Sequence, residues 1–300
     1  LSNSGGIMKV LTARNMRKSY GSVRAVNDVS IDVIRGEIVA LLGHNGSGKT
    51  TLLECIEGLR KPDSGTVTIL EAEHRHGQRI PSRMGVQLQE EQLPSRIKVR
   101  EALWLYCQIY GVDAPPPDLM AAMALEPLLG KRFDALSGGQ KRRVNLVLAF
   151  IGDPELVLLD EPTAGLDPEA RRALVQVLRR RSSEGMSILM TLHEVDHAAE
   201  LADRVVVMAH GAIAAEGTVD VLVHSLGANA CAVLVGGTDV APWRQCGEVY
   251  PGPEDTWLVY GDRHLLQEAV NSLPGGGTAA LRPTNLGDVV TRAARKEKIS

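Results

Sequence analysis

The stretch "GHNGSGKT", residues 43–50, sets Gly43, Gly48, Lys49 and Thr50 at the G-x-x-x-x-G-K-[ST] spacing. Glycines let a backbone curl until its N–H groups face phosphate oxygens. Gly43, His44, Asn45, Gly46, Ser47, Gly48, Lys49, Thr50 and Thr51 therefore form a candidate phosphate cradle. Within it Lys49 reaches β- and γ-phosphates, and Thr50 offers a hydroxyl to Mg2+. A second stretch, "LSGGQ" at 136–140, precedes the helical run "RRVNLVLAF". Its Ser137, Gly138, Gly139 and Gln140 make an anion-binding helix start, because exposed N–H groups and the helix dipole both favour phosphate there. A third, "ELVLLDEP" at 155–162, is an apolar strand ending in two acids. At a strand's carboxyl end beside a phosphate loop, Asp160 suits Mg2+ through water, and Glu161 suits orienting or deprotonating an attacking water.

Each group needs an element to hold it. "EIVALLG" is a short apolar run, as expected of a strand buried on both faces, and "GKTTLLECIEGL" follows at helical spacing. "KVLTARNMRKSYG" and "VNDVSIDVI" alternate like strands, with a break at Gly36. From about 98 to 152 the spacing is helical: "VREALWLYCQIYG", "APPPDLMAAMALEPLLG" and "SGGQKRRVNLVLAFIG" each predict a helix. Strands return in "ELVLLD", "SILMTLH" and "RVVVMAHG", separated by the helix "PEARRALVQVLRRRSSEG". Strands alternating with helices predict a parallel sheet with crossovers, here interrupted by a helical block. After about 225 the composition shifts. "GANACAVLVGG", "DTWLVYG" and "GTAALRP" read as strands, "RHLLQEAVNSL" and "NLGDVVTRAARKE" as helices, giving a small separate α+β unit of structural or regulatory use.

Bulk properties bound the function. The 300 residues suffice for one large domain and a small one. A net charge of −3 argues against a dedicated nucleic-acid binder, and 3% aromatics against single-strand stacking platforms. No apolar run approaches the ~18 residues that span a bilayer, and no secretion signal opens the chain. "LSNSGGI", residues 1–7, is set aside as a leader or expression remnant. Cys55, Cys107, Cys231 and Cys246 are spaced for neither zinc nor a disulfide framework, which fits a reducing cytoplasm. His74 and His76 have no third ligand nearby and read as a polar turn after a strand.

The order of phosphate loop, "LSGGQ", "LLDEP", "GLD" and a strand ending in histidine resembles an ATP-binding-cassette (ABC) transporter ATPase subunit, over residues of about 9–225. The resemblance implies an α/β P-loop NTPase with a parallel core sheet, an antiparallel β subdomain and an inserted helical subdomain at about 90–152. With the accessory unit, the expected domains are 8–225 and 226–300. It also implies that "LSGGQ" binds the γ-phosphate of ATP held by a second subunit, so that two copies enclose two ATP with Mg2+. Carried over by position, Tyr20 in "KSYG" matches the aromatic that stacks on adenine. Gln89 matches the glutamine that contacts Mg2+ or the attacking water, with Gln87 as a nearby competitor. Asp167 matches the loop that crosses between subunits, and His193 the histidine that contacts the γ-phosphate and supports Glu161. His197 then reads as a capping or surface histidine. His44 stands where the family often has proline, which bears only on local loop rigidity.

"SGGQKRRVNLVLAFIGDPELVLLDEPTAGLDPEARR" and the tail "RPTNLGDVVTRAARKE" are similar to ATPases of ABC-2-type exporters, which include bacterial multidrug and antibiotic-resistance pumps. The implied activity is ATP hydrolysis that drives separate integral-membrane permease subunits, exporting a drug-like or lipid-like molecule from the cytoplasmic face. Alternatives are an importer ATPase and a non-transport cassette acting on ribosomes or DNA. The single cassette and short helical insert disfavour the latter.

Overall fold

The computed structural model describes residues 8–87, 93–235, 238–272 and 279–295. Two compact units divide the chain, 1–214 and 215–300.

The first unit opens with long strands β1 (Lys9–Tyr20) and β2 (Val23–Ile34), followed by β3 (Ile38–Leu42) and α1 (Lys49–Ile56). Next come β4 (Ser64–Ile69), β5 (Ala72–His74) and β6 (Met84–Gln87). Helices α2 (Val99–Tyr110), α3 (Pro117–Ala122) and α4 (Gly138–Ala149) form the helical block. Then β7 (Leu156–Asp160), α5 (Pro168–Ser183), β8 (Ser187–Thr191), α6 (Val195–Leu201), β9 (Arg204–Ala209) and β10 (Ala212–Gly217) complete it; the unit boundary falls inside β10. Strands β2-β1-β4-β5 make an antiparallel sheet. The second sheet runs β10-β9-β3-β8-β7-β6, with β9, β3, β8, β7 and β6 parallel to one another. All five residues of each of β3, β7 and β8 are buried, which explains their unbroken apolar sequence. One core joins the two sheets, with Leu11, Met16 and Ile31 from the antiparallel side and Leu41, Leu158 and Leu189 from the parallel side, around Leu52 and Ile56 of α1.

Register sets the site. Thr191 pairs with Leu41 on one side and Asp160 on the other, so the carboxyl ends of β3, β8 and β7 lie in one row. The helical block is tied back to the core by an ion pair between Asp118 of α3 and Arg181 of α5, 2.7 Å long, with Arg180 on the same carboxylate. The run "APPPDLMAAMALEPLLG" is not one helix. It breaks after α3, at Ala124 in a left-handed conformation, and resumes as a 3-10 turn at Glu126–Leu128. Pro127, lacking an N–H, could not have continued the α-helical ladder.

The second unit holds α7 (Val219–His224), β11 (Ala230–Leu234), β12 (Gly247–Pro251), β13 (Trp257–Gly261), α8 (Arg263–Asn271), β14 (Ala279–Pro283) and α9 (Leu286–Ala293). Its antiparallel sheet runs β12-β13-β11-β14. That is the split β-α-β order of ferredoxin-like domains, with the first crossover helix reduced to a 3-10 turn at Pro242–Gln245. One face packs Ala230, Ala232 and Val259 against Trp243 and Leu266. The unit begins at Ala215 rather than at 226, because α7 packs on α9 and Arg292 donates to the Leu226 carbonyl at 2.8 Å. Strand β12 went unread in the sequence: "GEVYP" is short, flanked by glycine and proline, and only half-buried.

Candidate functional site

β3 ends where "GHNGSGKT" begins and α1 starts at Lys49. Gly48 takes φ 102°, and a Cβ there would lie 2.0 Å from the Ala25 carbonyl oxygen, so only glycine fits. Lys49 folds back into the loop and donates from Nζ to the carbonyls of Gly43 at 2.8 Å and His44 at 3.2 Å. Burial pushes its ammonium below the ordinary lysine range, opposed by the charges of Glu161 and Asp160. His44, Asn45 and Gly46 are exposed, and Thr50 and Thr51 half-buried. Ser47 Oγ is buried with no hydrogen-bond partner among the described residues. An orphaned buried hydroxyl in a loop of this shape fits a phosphate oxygen as its missing partner.

Asp160 ends β7, and Thr191 Oγ1 donates to its Oδ1. The same hydroxyl accepts from the Glu161 N–H at 2.9 Å. Burial raises the Asp160 carboxyl above its usual range; the Thr191 hydrogen bond opposes this, Glu161 adds to it, and a hydrogen bond from Thr50 opposes it again. Thr50 and Asp160 therefore stand side by side. Glu161 has φ 51°, a left-handed conformation that turns the chain out of the sheet. Its Oε1 lies 2.5 Å from His193 Nε2. Lys49, Thr50, Asp160, Glu161 and His193 are thus brought to the carboxyl ends of β3, β7 and β8.

The other sequence-selected residues are placed as follows. Ser137 caps α4: its Oγ accepts from Gln140 N at 3.3 Å, and Gln140 Oε1 accepts from Ser137 N at 3.2 Å. Ser137 and Gly138 are exposed; Gly139 and Gln140 are half-buried. Asp167 caps α5, accepting from Glu169 N at 3.1 Å and Ala170 N at 2.9 Å, and pairs with Arg143. Tyr20 ends β1 and is 43% exposed. Gln89 lies outside the described residues; its competitor Gln87 is buried at the end of β6. His197 is not a surface residue. It is buried, with Nδ1 3.2 Å from Thr163 Oγ1 and Nε2 3.0 Å from Glu194 Oε2. His74 is a buried residue of β5, not part of a turn, and its Nε2 lies 3.1 Å from the Glu57 carbonyl; His76 Nδ1 is 2.9 Å from that of Gly58. Sequence reasoning missed Thr191, whose only sign was a hydroxyl closing the apolar run of the strand "SILMT".

Residues 26–164 match the ABC transporter family. The Nod factor export ATP-binding protein I of Bradyrhizobium sp. (strain SNU001) is 35% identical over 294 residues, 94% of this chain and 95% of that protein. The chain belongs to the ABC transporter ATPases. The protein of the same description from Bradyrhizobium diazoefficiens is 38% identical over 237 residues, 75% of this chain and 76% of that one. Among solved structures, an ATP-binding subunit of an ABC transporter superposes with a TM-score of 0.65 at 29% identity, over 73% of this chain and 93% of that one. A dimeric bacterial ABC transporter cassette shares the fold, with a TM-score of 0.61 at 22% identity, over 69% and 98% of the two chains. The chain is a nucleotide-binding, ATP-hydrolysing cassette subunit, and among its described residues no helix is long and apolar enough to cross a membrane.

Proposed function

We propose that this cassette is the motor of an exporter: two copies close around two ATP, and closure and hydrolysis drive separate integral-membrane permease chains. The supporting observation is the row of Lys49, Thr50, Asp160, Glu161 and His193 along the ends of β3, β7 and β8, with the Ser137-capped start of α4 left exposed to meet a second subunit. In this reading the 43–51 loop holds one ATP, and Ser137, Gly138, Gly139 and Gln140 contact the γ-phosphate of the partner's. Tyr20 carries the adenine. Glu161 takes the proton of the attacking water, and His193, already in contact with its carboxylate, fixes the orientation of Glu161 and touches the γ-phosphate. Asp167 borders the subunit interface.

Mg2+ fits the residues present. The buried Asp160 carboxylate and the adjacent Thr50 hydroxyl offer the oxygen donors that this hard cation takes. Thr50, Asp160 and Gln89 would hold the ion, which when bound neutralises phosphate charge. The relatives are described as Nod factor export proteins, which favours export, here of a lipid-like or drug-like molecule. Trp104, Leu105 and Ile109 are 63%, 41% and 53% exposed on α2, an apolar surface suited to a permease segment at the cytoplasmic membrane face.

Purification of the tagged chain from detergent-solubilised membranes tests the assignment. A polytopic membrane protein should accompany it, and Trp104→Glu with Ile109→Glu should abolish that association while the isolated chain still hydrolyses ATP. Recovery of ribosomal RNA in place of a membrane protein would overturn the transport reading.

A further inference from the structure

The carboxyl end of α1 is built around one arginine. After Ile56 the chain reverses at Gly58, φ 76°, where a Cβ would lie 2.6 Å from His74 Nε2. The N–H groups of Leu59 and Arg60 both donate to the Glu54 carbonyl at 3.0 Å. This folds Arg60 back over its own helix, where Nε meets Glu54 Oε2 at 2.5 Å. The guanidinium carbon then stands 5.4 Å from the centre of the Tyr20 ring. Lys18 Nζ approaches the same ring at 5.6 Å, tethered to Asp63 at 3.2 Å. The ring nonetheless keeps substantial exposure.

α1 thus starts at the phosphate-facing Lys49 and Thr50, and the turn that follows its other end holds this cation. A cation beside an aromatic ring attracts its π electrons. The drawn-off density makes the open part of the ring a better platform for an electron-rich purine. Arg60 suits this better than Lys18. A planar guanidinium pinned by a carboxylate loses little freedom in fixing the ring, whereas an ammonium on a flexible stem remains strongly hydrated.

We propose that Arg60, held by Glu54, is a positioning residue for the nucleotide base: it fixes and polarises the Tyr20 ring on which the purine stacks. The inference rests on the reading of Tyr20 as the base platform. It assigns Arg60 no contact with phosphate and no part in the chemical step.

Dissociation constants of ATP and of inorganic triphosphate, measured on the full chain, separate the base end from the phosphate end. The proteins are the wild type, Arg60→Ala, Arg60→Lys, Tyr20→Leu, and Tyr20→Leu with Arg60→Ala, each checked by its thermal unfolding. Arg60→Ala should weaken ATP about fivefold and leave triphosphate unchanged. Arg60→Lys should recover part of the loss. In the Tyr20→Leu background Arg60→Ala should have no further effect. Equal losses for ATP and triphosphate, or an undiminished effect without Tyr20, would show that Arg60 acts through the fold or the phosphates and overturn the inference. If Tyr20→Leu alone weakens ATP selectively while Arg60→Ala does not, the platform stands and only the Arg60 inference falls. If Tyr20→Leu leaves both ligands unaffected, the platform reading falls and the inference with it.

Discussion

Replacing Glu57 with glutamine should stabilise the protein, and the gain should grow with pH. Glu57 follows α1 directly, is 2% exposed, and its Oε1 has no hydrogen-bond partner among the described residues. Burial pushes its carboxyl from 4.5 up to about 8, and the charges of Asp160 and Glu54 push the same way. The folded state therefore holds a proton that the unfolded state releases near its ordinary value. Stability contributed by a group of raised pKa is fully present below about pH 4.5 and is lost as pH rises towards about 8. Each pH unit in that window costs about 1.4 kcal/mol. Folding of the wild type at pH 7 thus carries a penalty of roughly 3 kcal/mol from Glu57, rising to roughly 5 kcal/mol above pH 8. Glutamine has nearly the same shape and never ionises.

The measurement is urea unfolding of both proteins, followed by circular dichroism from pH 5 to 8. Any packing cost of the new amide is independent of pH, so the readout is the slope of the difference between the proteins. Asp160 and other acids titrate in both and cancel to first order. At pH 7 the variant's midpoint should lie roughly 1 M urea above the pH 5 baseline difference, for a denaturant slope near 3 kcal/mol/M. Parallel pH profiles would mean that Glu57 is hydrated or paired in solution, and the burial argument would fail.

Thr191→Val removes the hydroxyl shared by Asp160 and the Glu161 N–H at constant shape; it should cost about 3 kcal/mol of stability and lower kcat more than ATP affinity, by urea unfolding and steady-state kinetics. Glu161→Gln should bind ATP yet nearly abolish hydrolysis, checked by nucleotide binding alongside phosphate release. With Glu161→Gln added to both chains, Lys49→Ala and Ser137→Arg proteins should each occlude no ATP alone, and mixing them should restore about a quarter of the wild-type sites if subunits exchange freely. Asp288 is buried and accepts from Tyr260 at 2.9 Å, from Arg282 at 2.7 and 2.8 Å, and from Asn285 N at 2.8 Å; Asp288→Ala should lower the second unit's stability by about 3 kcal/mol while ATP binding persists, seen as a separate early transition.

The glycine-rich loop, the strand before it and the acids Asp160 and Glu161 at the end of β7 were legible because each is a local matter: a glycine spacing, an apolar run, a strand end. The parallel sheet followed from alternation of strand and helix. What escaped depends on register or on distant neighbours. Thr191 matters only because β8 lies between β3 and β7, level with Asp160. Nothing local marks Glu57 as buried, since a glutamate after a helix is usually solvated. The burial of His197, which reads in sequence as a capping or surface histidine, escaped because its partner Thr163 is 34 residues away. The second unit's start was misplaced because α7 is short and its packing partner, α9, lies near the far end of the chain.

The two glycine-rich motifs, "GHNGSGKT" and "LSGGQ", are far apart in sequence, and within this chain the second is joined to the strand-end acids by a short structural path. Arg142 of α4 donates to the Ala164 carbonyl at 3.0 Å, and Arg143 pairs with Asp167. Gly139 lies so close to Gly165 that a Cβ would come within 3.1 Å of its carbonyl oxygen. The turn from Glu161 to Asp167 is therefore held at its middle and far end by the helix that Ser137 caps, and at its near end by Thr191. A displacement of α4 has to be absorbed either by the Arg142 and Arg143 contacts or by rotation about Glu161, which already sits in a left-handed conformation. Of these, the Arg143 pair is the more yielding, because Asp167 is half solvent-exposed and also bound to the start of α5. The Ala164 carbonyl offers no such release, since a half-buried backbone oxygen that loses its donor must find another. Arg142, more than Arg143, is thus the residue through which the position of "LSGGQ" bears on the geometry of Glu161.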